Sequence, residues 1–143
     1  MQQPPSLTPA NQIPAPATVL IVEDEPALRS LAGDVAEAAG LAFIEANDAH
    51  EAMALLETRT DIGVVFTDIH LRGSMDGISL AEIVRRRWPW IDLLITSGKV
   101  IPHRHKLPEG SLYFAKPYDI EKVVEALRSF AERRPGHADR LDL

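Results

Sequence analysis

Cysteine is absent from all 143 residues. Disulfides, thiolate metal centres and cysteine nucleophiles are therefore excluded. The absence agrees with a reducing cytoplasm, the compartment we expect. Basic residues are outnumbered, 15 Lys and Arg against 21 Asp and Glu, for a formal net charge of −6. A surface of that sign speaks against direct nucleic-acid binding, because phosphate contacts need a basic face. Long apolar runs are missing too. Val19–Val22 is typical of the longest, far short of the roughly 20 residues a membrane helix requires. No charge precedes Glu23 and no continuous apolar core lies before Val19, so the N-terminus does not read as a secretory signal.

What is present suits one globular domain that folds without staples. Residues 1–17 carry Pro4, Pro5, Pro9, Pro14 and Pro16 and no charge, which reads as a flexible leader. Order is expected over residues 18–132, followed by a frayed tail over 133–143. Val19–Val22 is a short β-branched run of the kind buried on both faces of a sheet. Pro26 suits the first turn of a helix, with Leu28, Leu31, Ala32, Val35 and Ala39 at helical spacing and Gly40 as its stop.

The alternation repeats along the chain. Residues 42–46 read as a second strand, and Asn47 or Asp48 caps a helix through Met53, Leu55 and Leu56. Ile62–Thr67 is a third strand ending in Asp68. Ile78–Trp88 is a helix with Leu80, Ile83, Val84 and Trp88 inward, stopped by Pro89. Ile91–Thr96 and Leu112–Ala115 are two further strands, and Ile120–Glu132 is the last helix. Strands alternating with helices imply a parallel sheet covered on both faces. The expected fold is a flavodoxin-like, doubly wound α/β domain with a five-stranded parallel sheet in the order 2-1-3-4-5.

In such a fold ligands bind beyond the carboxyl ends of the strands. The sequence places Glu23, Asp24 and Glu25 after strand 1, Asp68 at the end of strand 3, Thr96 and Ser97 after strand 4, and Lys116 after strand 5. Crowded carboxylates repel unless a cation sits among them, and hard oxygen ligands favour Mg²⁺ or Ca²⁺. A lysine beside them neutralises phosphoryl oxygens as a point charge, and a threonine hydroxyl donates a hydrogen bond. Phosphoryl transfer needs mainly positioning and charge neutralisation, and a carboxylate is a recognised acceptor. Each residue also has a plainer reading. Asp24 and Glu25 suit a helix N-terminus, Asp68 a strand-end turn, Thr96 a cap, and Lys116 a solvated surface.

Val19 to Pro26, Thr67-Asp68, Ile95-Thr96-Ser97 and Lys116-Pro117, in that order, resemble the receiver domains of bacterial two-component response regulators. The resemblance spans about residues 18 to 132. It implies that Asp68 accepts a phosphoryl group with Mg²⁺, that Asp24 is a direct metal ligand, and that Glu23 is its neighbouring acid. It implies a metal-facing backbone carbonyl at His70, a switch hydroxyl at Thr96 and a phosphoryl-binding lysine at Lys116. Tyr113 matches an aromatic that reports activation, although a purely structural aromatic fits as well. Pro117 matches the proline of a cis peptide. The implied partners are a histidine kinase or histidine phosphotransfer protein and a downstream protein target. With no effector domain after residue 132, a stand-alone regulator that is a phosphoacceptor rather than an enzyme is expected.

The chain departs from that pattern between Lys99 and Gly110. Pro102 and Pro108 leave little room for a fourth helix, so a short or irregular one in a mobile loop is expected there. Lys99, His103, Arg104, His105 and Lys106 make this stretch basic, on the face the family uses for partners. Gly98 and His70 occupy places that, in the family the chain resembles, tune phosphoryl lifetime. His103 and His105 lack a companion ligand and read as solvated loop. Two other readings compete, an interaction module on the same fold and an enzyme. A phosphorylation-independent interaction module would carry a degenerate acid pocket. An aspartyl-phosphate phosphohydrolase would place a second acid where His70 stands.

Overall fold

The computed structural model describes residues 17–99 and 107–133. Most of the expected leader and tail lie outside the described residues. So does most of the Lys99–Gly110 stretch, including His103, Arg104, His105 and Lys106. Nine elements follow in order: β1 (Thr18–Val22), α1 (Pro26–Ala38), β2 (Phe43–Ala46), α2 (Ala49–Thr58), β3 (Ile62–Asp68), α3 (Gly77–Arg87), β4 (Asp92–Ser97), β5 (Leu112–Ala115) and α4 (Ile120–Glu132). All five strands are parallel, in the order β2-β1-β3-β4-β5. This is the expected doubly wound sheet. Among the described residues there are four helices, and positions 98–99 and 107–111 carry none. No helix among them is long and apolar enough to cross a membrane.

The strand residues explain the layering. Every residue of β1 and β3 is buried, as near-continuous apolar strands must be when helices cover both faces. Strand alternation then splits the core in two. Leu20, Val22, Val65, Leu93 and Ile95 face α2 and α3, with Leu56, Leu80 and Val84. Val19, Ile21, Val64, Phe66 and Leu94 face α1 and α4, with Val35, Val123, Leu127 and Phe130.

Helix ends follow the local signals. Pro26 opens α1, and Gly40 at φ 79° ends it. There the Leu41 N–H donates to the Ala36 carbonyl at 3.0 Å and the Gly40 N–H to Glu37 at 2.9 Å, a left-handed cap that glycine adopts without a Cβ penalty. Asp48, Asp76 and Asp119 cap α2, α3 and α4 through their side chains. Several boundaries moved from expectation by one residue, most clearly at both ends of α3 and of β4. α3 starts one residue earlier, at Gly77, and Trp88 becomes its half-buried C-cap with the Arg87 guanidinium 4.4 Å above its ring. β4 starts and ends one residue later than expected, because backbone pairing, not hydropathy, sets its ends: Asp92 pairs with Val64 of β3 and Ser97 with Ala115 of β5.

The start of α3 is packed hard against the end of β3. A Cβ built on Gly77 would lie 1.9 Å from the Asp68 carbonyl oxygen, and the Gly77 N–H donates to the Ile69 carbonyl at 2.7 Å. No side chain fits that gap without moving backbone. Gly77→Ala is therefore expected to lower the unfolding free energy by about 1–3 kcal/mol or more. Gly98→Ala, whose Cβ would meet nothing within 4 Å, should stay within about 0.5 kcal/mol of the parent. Urea denaturation of both variants checks this, and equal stabilities would contradict the packing argument.

Candidate functional site

The same alternation that builds the core delivers the polar residues. Glu23 continues the Val19, Ile21 series, Asp68 the Val64, Phe66 series, Thr96 follows Leu94, and Lys116 follows Phe114. All four thus emerge on the α1/α4 side at the carboxyl ends of β1, β3, β4 and β5. Asp68 and Thr96 are register partners on adjacent strands, which puts their backbones roughly 5 Å apart. The strand ends are tied by the Ile69 N–H donating to the Thr96 carbonyl at 2.9 Å and the Lys116 N–H donating to Ser97 at 2.8 Å.

At the centre Lys116 Nζ donates to Glu23 Oε1 at 2.8 Å and to Asp68 Oδ2 at 2.9 Å. Glu23 is 6% exposed, Asp68 8% and Thr96 2%. The second Glu23 oxygen accepts from the Glu25 N–H at 3.1 Å, and Asp68 Oδ1 accepts from the His70 N–H at 3.3 Å. Burial pushes the Glu23 carboxyl above its ordinary value, with the Lys116 hydrogen bond opposing. Burial alone would lower Lys116, but its hydrogen bonds to both carboxylates override it and raise the ammonium. Burial also raises the Tyr118 phenol beside them. The Lys116–Pro117 peptide bond is cis, as the resemblance implied.

Asp24 leaves this group. Its Oδ2 accepts from the Arg72 N–H at 3.0 Å, with Arg72 Nε 3.8 Å away. Accordingly, among the described residues no three Asp, Glu or His side chains close around one point. The donor set nevertheless fits a hard divalent cation. Glu23, Asp24 and Asp68 outweigh their ion-pair partners Lys116 and Arg72 by one negative charge, and all three offer carboxylate oxygens. The His70 side chain is exposed, and only its backbone reaches the site. Tyr113 packs on the α2/α3 side of the sheet, opposite Thr96.

A cavity of about 380 Å³ opens beside the cluster between α1 and α4. Asp68, Thr96 and Lys116 form its polar floor, with Leu28, Phe66 and Ile120 among its apolar walls. Arg72, Gly77 and Tyr118 were not singled out from sequence. Asp76 with Ser79 is a visible cap signal that could have brought attention to Gly77. Nothing local marks Arg72, whose importance depends on a residue 48 positions away.

Residues 19–128 match the family of response regulator receiver domains. The nitrogen assimilation regulatory protein NtrX of Azorhizobium caulinodans is 36% identical over 110 residues, covering 74% of this chain and 24% of that protein. The response regulator protein FleR of Pseudomonas aeruginosa is 29% identical over 80% of this chain and 24% of its own length. The chain therefore spans about a quarter of either relative. Among solved structures, the receiver domain of the Francisella response regulator 1452 aligns with a TM-score of 0.72 at 25% identity, covering 82% of this chain and 98% of that one. A response regulator receiver protein from Sinorhizobium medicae aligns at 0.76 and 22% identity, over 82% of this chain and 96% of that one, a likeness of fold.

The raised Glu23 carboxyl carries a signed pH dependence. A carboxyl whose folded pKa exceeds its unfolded value favours the folded state at low pH and loses that contribution as pH rises through the folded value. The stability of the parent relative to Glu23→Gln should therefore fall as the pH is raised above about 4.5. Urea titrations at a series of pH values measure the difference, and a flat or rising difference would contradict it.

Proposed function

Because the chain belongs to the response regulator receiver-domain family of two-component signalling proteins, we propose that it is a phosphoryl-accepting switch whose acceptor is Asp68. One observation carries this reading. Lys116 Nζ bridges the buried Glu23 and Asp68 carboxylates at the mouth of the sheet, so a cation already lies against the acceptor oxygen. Thr96 stands in register beside it.

The donor is a phosphohistidine on a histidine kinase or a histidine phosphotransfer protein. An Asp68 carboxylate oxygen forms the new O–P bond while the P–N bond to the donor imidazole breaks, and the nitrogen keeps the electron pair. Asp68 reacts as the carboxylate. Lys116 follows the developing charge from the Asp68 oxygen to the phosphoryl oxygens without crossing open solvent. Backbone N–H groups of the β3–α3 connection, with His70 nearest, offer further donors. Asp24, Asp68, the His70 carbonyl and Glu23, the last through water, would hold Mg²⁺. When bound, that ion neutralises phosphoryl oxygens against the three acids.

The product adds negative charge at a buried strand end. The Thr96 hydroxyl, one strand away, donates to a phosphoryl oxygen, and Tyr113 on the neighbouring strand responds. A two-state surface bounded by β5 and α4 then changes its affinity for a protein target. The protein turns over no external substrate beyond assisting its own phosphorylation and dephosphorylation.

Incubation with Mg²⁺ and acetyl phosphate, or with a phosphohistidine donor, should add one phosphoryl mass to the intact chain. Asp68→Asn should add none. Thr96→Ala should still accept the group but lose the accompanying conformational shift seen by amide NMR. A folded parent protein that gains no mass would overturn the reading.

A further inference from the structure

Two alternate backbone amides of the connection between β3 and α3 each hold a different carboxylate. The His70 N–H donates to Asp68 Oδ1 at 3.3 Å, and the Arg72 N–H donates to Asp24 Oδ2 at 3.0 Å. The Arg72 guanidinium reinforces the second contact, with Nε 3.8 Å from the same oxygen. The two Arg72 contacts differ in character. The amide is part of the loop, whereas the side chain is 84% exposed and contributes mainly its charge. The loop's far end is fixed by the Gly77–Ile69 hydrogen bond. Asp24 follows Glu23 directly, yet Glu23 points into the Lys116 cluster while Asp24 faces the loop. One carboxylate thus has two claimants on opposite sides. Both Arg72 contacts fall on Oδ2 and turn that carboxylate towards the loop.

We propose that Arg72 latches Asp24 to the β3–α3 loop in competition with a divalent cation, so that the loop releases Asp24 when the cation is bound. This rests on the reading of Asp24 as a metal ligand. By linkage the coupling is reciprocal: whatever draws the loop away from Asp24 strengthens cation binding. An exposed ion pair at this distance is weak, and the positive charge of Arg72 also opposes a nearby cation. Losing the side chain should therefore tighten Mg²⁺ binding by about two- to five-fold. Being exposed, the effect should shrink as salt is raised.

The test uses the full chain with MgCl₂ and no phosphoryl donor. Calorimetric titration should give a Kd for Arg72→Ala about two- to five-fold below that of the parent at low salt, with the gap closing at high salt, whereas Arg72→Lys stays near the parent. In the parent, saturating Mg²⁺ should shift the Arg72 amide proton upfield and speed its exchange, as expected for a lost hydrogen bond. Equal affinities for the parent and Arg72→Ala, or an Arg72 amide unmoved at saturation, would overturn the latch while leaving phosphoryl acceptance by Asp68 intact. A folded parent that binds no Mg²⁺ would overturn the metal-ligand reading and the latch with it.

Discussion

A single ammonium group, Lys116 Nζ, lies between two carboxylates that are both almost completely buried. Glu23 and Asp68 come from strands that are adjacent in the sheet, while Lys116 comes from the far edge. Two buried anions without a counter-charge would be costly, and removing one partner from such a group usually costs several kcal/mol. Lys116 therefore ties β5 to β1 and β3 electrostatically across the top of β4. The arrangement also keeps the Asp68 carboxylate close to a positive charge.

Strand parity explains why these groups meet at all. Alternate residues near the carboxyl ends of four strands, Val19 and Ile21, Val64 and Phe66, Leu94, and Phe114, feed the α1/α4 side with apolar side chains, and the next residue in each series is polar. The core and the site are thus one pattern read to its last position. Asp24 falls on the other parity and turns to the loop, held by Arg72. The adjacent acids at 23 and 24 consequently do different things, Glu23 locking the cluster and Asp24 lying at its border. Gly77 completes the frame from the other side, because only a residue without a Cβ lets α3 begin against the Asp68 carbonyl.

Much of this was legible beforehand because it is local or periodic. β5 and α4 have the ends read from the sequence, and β1 to β4 are displaced by one residue at most at either end. The convergence of Glu23, Asp68, Thr96 and Lys116 was legible only through topology, since the order 2-1-3-4-5 brings distant strand ends together. Their resemblance to a receiver domain turned four weak signals into one. Tyr113 shows the limit. Its spacing from Lys116 was clear, but that it packs on the opposite side of the sheet from Thr96 follows from parity in the assembled sheet.

The sequence by itself determined the alternation of strands and helices, the acids and lysine at strand ends, the helix caps and the negative charge balance. These are set by nearest neighbours in the chain and by side-chain chemistry. Only the tertiary structure decided which acid pairs with Lys116 and that Asp24 is drawn away by Arg72. It alone shows that Gly77 must be glycine for steric reasons and that an apolar cavity opens beside Asp68. Each depends on ångström-scale contacts between residues remote in the chain, or, for Gly77, across a loop whose path no local signal specifies.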